Sequence, residues 1–105
     1  MRCASAVGRA ALAAALMATC ASALGADYFS GSRLYARHCA ECHGSDGRGL
    51  AAGAPDFRYD SSLMQPDTAL YRTISEGSGG MPAFRGVLTR EEILDVIAYM
   101  RSLQR

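Results

Sequence analysis

Cys39-Ala40-Glu41-Cys42-His43 is the stretch that decides how this 105-residue chain folds. Two thiols three residues apart share one turn of a helix and point to the same side, and an imidazole follows at the next position. A dithiol redox pair would need a strand before the motif and a βαβ setting. No strand-like alternation longer than four residues occurs in the chain. A structural zinc site would need four ligands. His38 and His43 are the only histidines, and Cys3 and Cys20 belong to an N-terminal segment read below as removed. The ligands would then come from six consecutive residues, which do not close a tetrahedron comfortably. A disulfide across so small a loop would stabilise little.

The reading left is covalent attachment of a haem, for which Cys-x-x-Cys-His is the sequence signature. The thiols of Cys39 and Cys42 reach the two vinyl groups on one porphyrin edge as thioethers. His43 then lies under the iron as its proximal ligand. The expected cofactor is one haem c per chain.

Working outward toward the N-terminus, Met1-Arg2 and Arg9 supply positive charge, Ala10 to Ala18 is apolar, and Ala21-Ser22-Ala23 is a small-x-small cleavage site. Residues 1–26 are therefore expected to be a cleaved export signal that sends the chain to the periplasm, with 27–105 as one domain. The wider apolar stretch from Ala10 to Leu24 spans about 15 residues and is broken by Thr19, Cys20 and Ser22, short of the roughly 20 that cross a bilayer, so no stable membrane insertion is expected. Arg2 and Arg9 are not adjacent, which argues against the twin-arginine route. A lipid anchor at Cys20 is disfavoured by the β-branched Thr19 before it.

From Asp27 onward there are nine arginines, no lysine and ten acids, a formal charge of −1. That composition excludes the basic footprint of a nucleic-acid binder. A domain of about 79 residues has a small core and needs a staple, a metal or a cofactor to complete it.

The rest reads as helices and loops. A first helix is expected with Ser30 or Ser32 as cap and Leu34 and Tyr35 inward, delivering the cysteines at its end. Gly44 to Pro55, with four glycines and no apolar period, is a loop. A middle helix is expected over Asp67–Glu76, after Pro66 and before Gly77, with Leu70 and Ile74 on one face. A second glycine-rich loop, Gly77 to Phe84, presents Met81. Thr89-Arg90-Glu91-Glu92 matches a capping box, and Ile93, Val96, Ile97, Met100 and Leu103 then recur at helical spacing. The fold class is all-α, three to four helices around one haem.

Taken together, the haem motif followed by Gly44, then Gly79-Gly80-Met81-Pro82-Ala83-Phe84, then Leu88-Thr89-x-Glu91-Glu92-Ile93-x-x-Val96-x-x-Tyr99, resembles the small soluble monohaem cytochromes c across nearly all of residues 27–105. The resemblance implies that Met81, on a loop before the last helix and followed by proline, is the sixth ligand. It also implies that the carbonyl of Pro55 accepts a hydrogen bond from the second nitrogen of His43, which would fix the imidazole tautomer and raise its basicity. Gly31 and Tyr35 against Val96 and Tyr99 resemble the family's crossing of first and last helices.

Residue chemistry bears on the ligand as well. Met100 falls on the apolar stripe of the last helix and reads as core. Met64 lacks the glycine-rich flanks that would place a thioether at iron. His38, tied through Cys39 to the same porphyrin edge as His43, cannot readily reach the opposite face. Arg58, Tyr59 and Arg85 are open candidates for the haem propionates.

With both axial positions filled, iron changes oxidation state but offers no open site. The expected function is one-electron transfer, without enzymatic turnover, by a monomer between exported partners. The donor would be a quinol-oxidising complex or periplasmic dehydrogenase, and the acceptor a terminal oxidase or reductase. Two alternatives stay open: a haem subunit held by a dehydrogenase complex, and a five-coordinate haem protein with peroxidase or gas-sensing activity.

Overall fold

The computed structural model describes residues 25–105, so the expected export segment lies outside the described residues except for its last two. Four helices follow one another: α1 over Tyr28–His38, the single turn α2 over Ala40–His43, α3 over Asp67–Glu76 and α4 over Arg90–Arg101. A 3₁₀ turn at Ser61–Leu63, not foreseen from sequence, precedes α3. No strand occurs among the described residues, and the only β-type pairings there are isolated bridges at Ser78 with Met81 and Arg85 with Leu88. The all-α expectation holds.

The start of α1 differs from the expected one. Asp27 caps the helix, its carboxylate accepting from the amides of Phe29 (2.9 Å) and Ser30 (3.2 Å), while Ser30 and Ser32 lie inside the helix. Aspartate is as good an N-cap as serine, and the Ser32 hydroxyl bonds back to the Phe29 carbonyl at 2.9 Å. The Asp27 amide also donates to Asp95 Oδ1 at 2.7 Å, tying the beginning of α1 to α4.

α3 occupies the expected span, and it ends at Gly77 with φ of 81°. α4 carries the expected capping box: the Glu92 amide donates to Thr89 Oγ1 at 3.1 Å, and the Thr89 amide to Glu92 Oε1 at 2.9 Å. Leu103 lies just past the end of that helix.

The crossing of α1 and α4 organises the core. Gly31 packs directly on the main chain of α4, where a Cβ would overlap the Asp95 carbonyl oxygen and come within 3.1 Å of Tyr99 Cβ. Below that contact the Tyr35 and Tyr99 rings lie 5.2 Å apart. Ile93, Val96, Ile97 and Met100 project from α4 into the same core with Leu70 and Ile74 of α3. Each such side chain contributes about 1.5–3 kcal/mol when fully buried. Arg101 joins α4 to the start of α3: it donates to the carbonyls of Leu63 (2.6 Å) and Gln65 (2.7 Å) and to Asp67 Oδ1 (2.7 Å).

A candidate haem cavity

The motif forms at a break in the helix. Tyr35 ends the first run by accepting the Cys39 amide at 2.9 Å, and Cys39 itself is non-helical at φ −121°, ψ −35°. The amides of Cys42 (3.2 Å) and His43 (2.9 Å) then both bond the Cys39 carbonyl, so α2 is one tight turn that carries Cys42 and His43. Tyr35 pins its far end: the buried phenol donates to the Gly44 carbonyl at 2.6 Å. Burial, aided by the nearby Cys39, raises the Tyr35 pKa above its ordinary value. Cys39 is buried and Cys42 exposed. Burial, then the neighbouring Cys42, pushes the Cys39 thiol up to about 11.

All five residues singled out from sequence, Cys39, Cys42, His43, Pro55 and Met81, line one cavity of about 760 Å³. That volume suits a large ligand. The rest of its wall is mainly apolar, with Leu63, Leu70, Ile74, Phe84, Val96 and Met100 among its residues. Met64 is 76% exposed and does not line the cavity, whereas Met100 lines it from within the core. His38, half-buried, reaches the cavity wall and meets Phe84 edge-on at 5.9 Å.

His43 is held by a residue the sequence did not reveal. Phe57 stacks on its ring at 4.8 Å and 20° between planes. The only sequence signal was that Phe57 is the single large apolar residue, tyrosine aside, between Leu50 and Leu63. Burial lowers the His43 pKa, which favours the neutral imidazole that a metal requires. Its Nδ1 is buried and makes no hydrogen bond to Pro55 or to any other residue. The Pro55 carbonyl instead lies against Gly49, where a Cβ would come within 2.7 Å of it. Gly49, at φ 82°, also donates its amide to the His43 carbonyl at 2.7 Å, so the loop is folded back onto the motif.

Met81 sits opposite in sequence terms, on a loop anchored to α3. The amides of Phe84 and Arg85 donate to the carbonyls of Ile74 and Ser75, each at 3.0 Å, and Ser78 and Met81 exchange two main-chain bonds across Gly79-Gly80. A partly buried methionine is thus held at the cavity by fixed backbone.

These features fit a porphyrin: a paired thiol edge, a neutral imidazole with an unpartnered outer nitrogen, a thioether on a second wall, and apolar sides. The chain matches the family described as cytochrome C oxidase, cbb3-type, subunit III, over residues 26–100. This protein belongs to the cytochrome c family. It is 33% identical over 90 residues to cytochrome c6 of Thermosynechococcus vestitus, covering 83% of this chain and 80% of that one. It is 37% identical over 82 residues to the cbb3-type cytochrome c oxidase subunit FixP of Bradyrhizobium diazoefficiens, covering 75% of this chain but only 28% of FixP. Among solved structures, the KustC0563 c-type cytochrome superposes with a TM-score of 0.66 at 30% identity, over 71% of this chain and 98% of that one. The cytochrome therefore has the small helical fold expected and carries one covalently bound haem c. It is a monohaem electron carrier.

Arg58, left open as a propionate partner, is engaged elsewhere. Its guanidinium pairs with Asp56 at 2.8 Å, beside an Arg48–Asp46 pair at 2.9 Å. Neither Arg58, Tyr59 nor Arg85 lines the cavity.

Proposed function

We propose that this cytochrome shuttles single electrons between exported redox partners with its iron held by His43 and Met81. The observation that carries the reading is the convergence of Cys39, Cys42, His43 and Met81 on one apolar cavity. Bound there, haem c supplies an iron that alternates between ferric and ferrous states. Cys39 and Cys42 fix the porphyrin edge, and exposed Cys42 leaves that edge close to solvent, where a partner can approach. His43 enters as the neutral imidazole, stacked against Phe57, and the Pro55 carbonyl is the acceptor proposed for its Nδ1. Met81, a soft thioether, favours the ferrous state relative to a second histidine. Leu63, Leu70, Ile74 and Phe84 exclude water, which raises the potential further.

Export to the periplasm by residues 1–26, a quinol-oxidising complex or dehydrogenase as donor, and a terminal oxidase or reductase as acceptor complete the proposal. No helix among the described residues is long and apolar enough to cross a membrane. A formal charge of −1 for residues 27–105 gives weak long-range steering, so docking depends on local shape.

The test is an optical spectrum of the exported protein, oxidised and reduced, with carbon monoxide added to the reduced sample. A weak near-infrared sulfur-to-iron band and no response to the gas support His/Met ligation and electron transfer. A missing band with a prompt shift on gas binding establishes an open site and moves the function to peroxide or gas chemistry. The likeness to part of FixP favours a second reading, a haem unit held in a larger complex. Copurification with a stable partner selects it.

A further inference from the structure

Among the described residues, Ser62 Oγ is the one buried side-chain oxygen without a hydrogen-bond partner. Ser62 belongs to the 3₁₀ turn and lines the haem cavity. The amide and the carbonyl of Ser62 are both engaged. Its amide donates to Asp60 Oδ1 at 2.7 Å, and its carbonyl accepts from Gln65 Nε2 at 2.6 Å. Arg101 holds the next carbonyls, of Leu63 at 2.6 Å and of Gln65 at 2.7 Å. An anchored segment of the cavity wall therefore carries a buried hydroxyl that nothing among the described residues satisfies.

An unsatisfied buried hydroxyl calls for a specific partner. Haem c brings one. Its thioethers tie one porphyrin edge to Cys39 and Cys42, and its two propionate carboxylates leave the opposite edge, where they need donors. No arginine or lysine lines the cavity. Of the other hydroxyls there, Tyr35 already donates to the Gly44 carbonyl, and Thr73 to the Ala69 carbonyl at 3.2 Å. Ser78 is exposed on the Met81 loop.

We propose that Ser62 Oγ donates a hydrogen bond to a haem propionate carboxylate. The assignment rests on the haem-bearing cavity described above. Ser62 Oγ is itself closed off from the open space of the cavity, so it reaches the carboxylate by rotation about χ1, which a serine makes without disturbing its backbone. The bond it forms is charge-assisted, the stronger kind. The propionate is then held by a neutral hydroxyl on a fixed turn, with no cationic side chain of the cavity wall beside it.

The experiment uses the haem-loaded protein as wild type, Ser62→Ala and Ser62→Thr. A pyridine haemochrome assay of the wild type tests the covalent haem by itself, so loss of the cofactor reading shows there and not as a failure of Ser62. The propionate bending band in the resonance Raman spectrum is expected to shift in Ser62→Ala and to return toward the wild-type position in Ser62→Thr. An unchanged band in Ser62→Ala overturns the proposal. If Ser62→Ala does not accumulate with haem, a crystal structure of the wild-type holoprotein decides. Ser62 Oγ within about 2.5–3.0 Å of a propionate oxygen supports the bond. Oγ bonded only to water or to main chain overturns it.

Discussion

Gly31 of α1 lies against the carbonyl oxygen of Asp95 in α4 with no space for a side chain between them. The clash of an added Cβ would be with backbone, so it could be relieved only by moving the helices apart, at the expense of the Tyr35–Tyr99 contact. Alanine in place of a mid-helix glycine gains about 0.5–1 kcal/mol from propensity. Overpacking costs about 1–3 kcal/mol. Gly31→Ala is therefore expected to destabilise the haem-loaded protein by about 1–2 kcal/mol in denaturant unfolding. A variant as stable as wild type would show that the crossing is looser than the structure has it.

Thr89 and Glu92 exchange two hydrogen bonds at the start of α4. Thr89→Ala removes the side-chain acceptor for the Glu92 amide, a loss of about 1 kcal/mol. Because the cap is exposed and away from the cavity, the near-infrared band and the potential should not move. Thermal unfolding and a redox titration on the same sample check both halves.

Asp46 is held near a pKa of about 2, chiefly by its hydrogen bond from Arg48. Asp56 is lowered in the same way by Arg58. A depressed carboxyl pKa gives stability that is complete above the unfolded value, about 4, and is lost as pH falls through the folded value. The stability difference between wild type and Asp46→Asn should therefore be present at pH 6 and vanish as pH approaches 2. Both partners sit at the surface, so raised salt should shrink the difference at pH 6. A difference that is constant with pH would mean that the pair is not formed in solution.

Much of this arrangement was legible in the sequence, because the informative residues act through spacing. Asp67–Glu76 carried its own stops in Pro66 and Gly77, and α4 its own capping box, so both were readable as local signals. The start of α1 was misread because Asp27, Ser30 and Ser32 are all competent caps and only the three-dimensional partner, Asp95, singles out the first. Phe57 on His43 and the Arg101 clamp on Leu63 and Gln65 link residues 14 to 38 positions apart, and the unsatisfied Ser62 hydroxyl has no partner among the described residues. No periodicity announces such contacts. Pro55 shows the converse: the resemblance named an acceptor for His43, and the structure places Pro55 in the cavity wall with its carbonyl against Gly49.

Arg101 offers a way to separate a hydrogen-bonding role from a charge role. Its guanidinium serves two carbonyls as well as Asp67, and the ion pair itself is exposed. Asp67→Asn should cost no more than about 1 kcal/mol, a surface pair's worth. Arg101→Met strands the Leu63 and Gln65 carbonyls and should cost about 1.5–3 kcal/mol, with little dependence on salt. Equal losses for the two variants would assign the effect to the ion pair alone.

Three methionines are present in the described part of the chain, and their surroundings predict different spectra. Met64 is exposed, Met100 is packed in the core, and Met81 is partly buried on a loop whose backbone is bonded to α3. If Met81 is the ligand as proposed, Met81→Ala should abolish the near-infrared sulfur band, lower the potential and let the ferrous protein bind carbon monoxide, because the axial thioether would be gone. Met100→Leu is nearly volume-conserving and should cost under about 1.5 kcal/mol while keeping the band. Met64→Leu should change neither. Loss of the band in Met100→Leu with its retention in Met81→Ala would move the ligand from the loop to α4, and Met100 would then be a coordinating residue rather than part of the core.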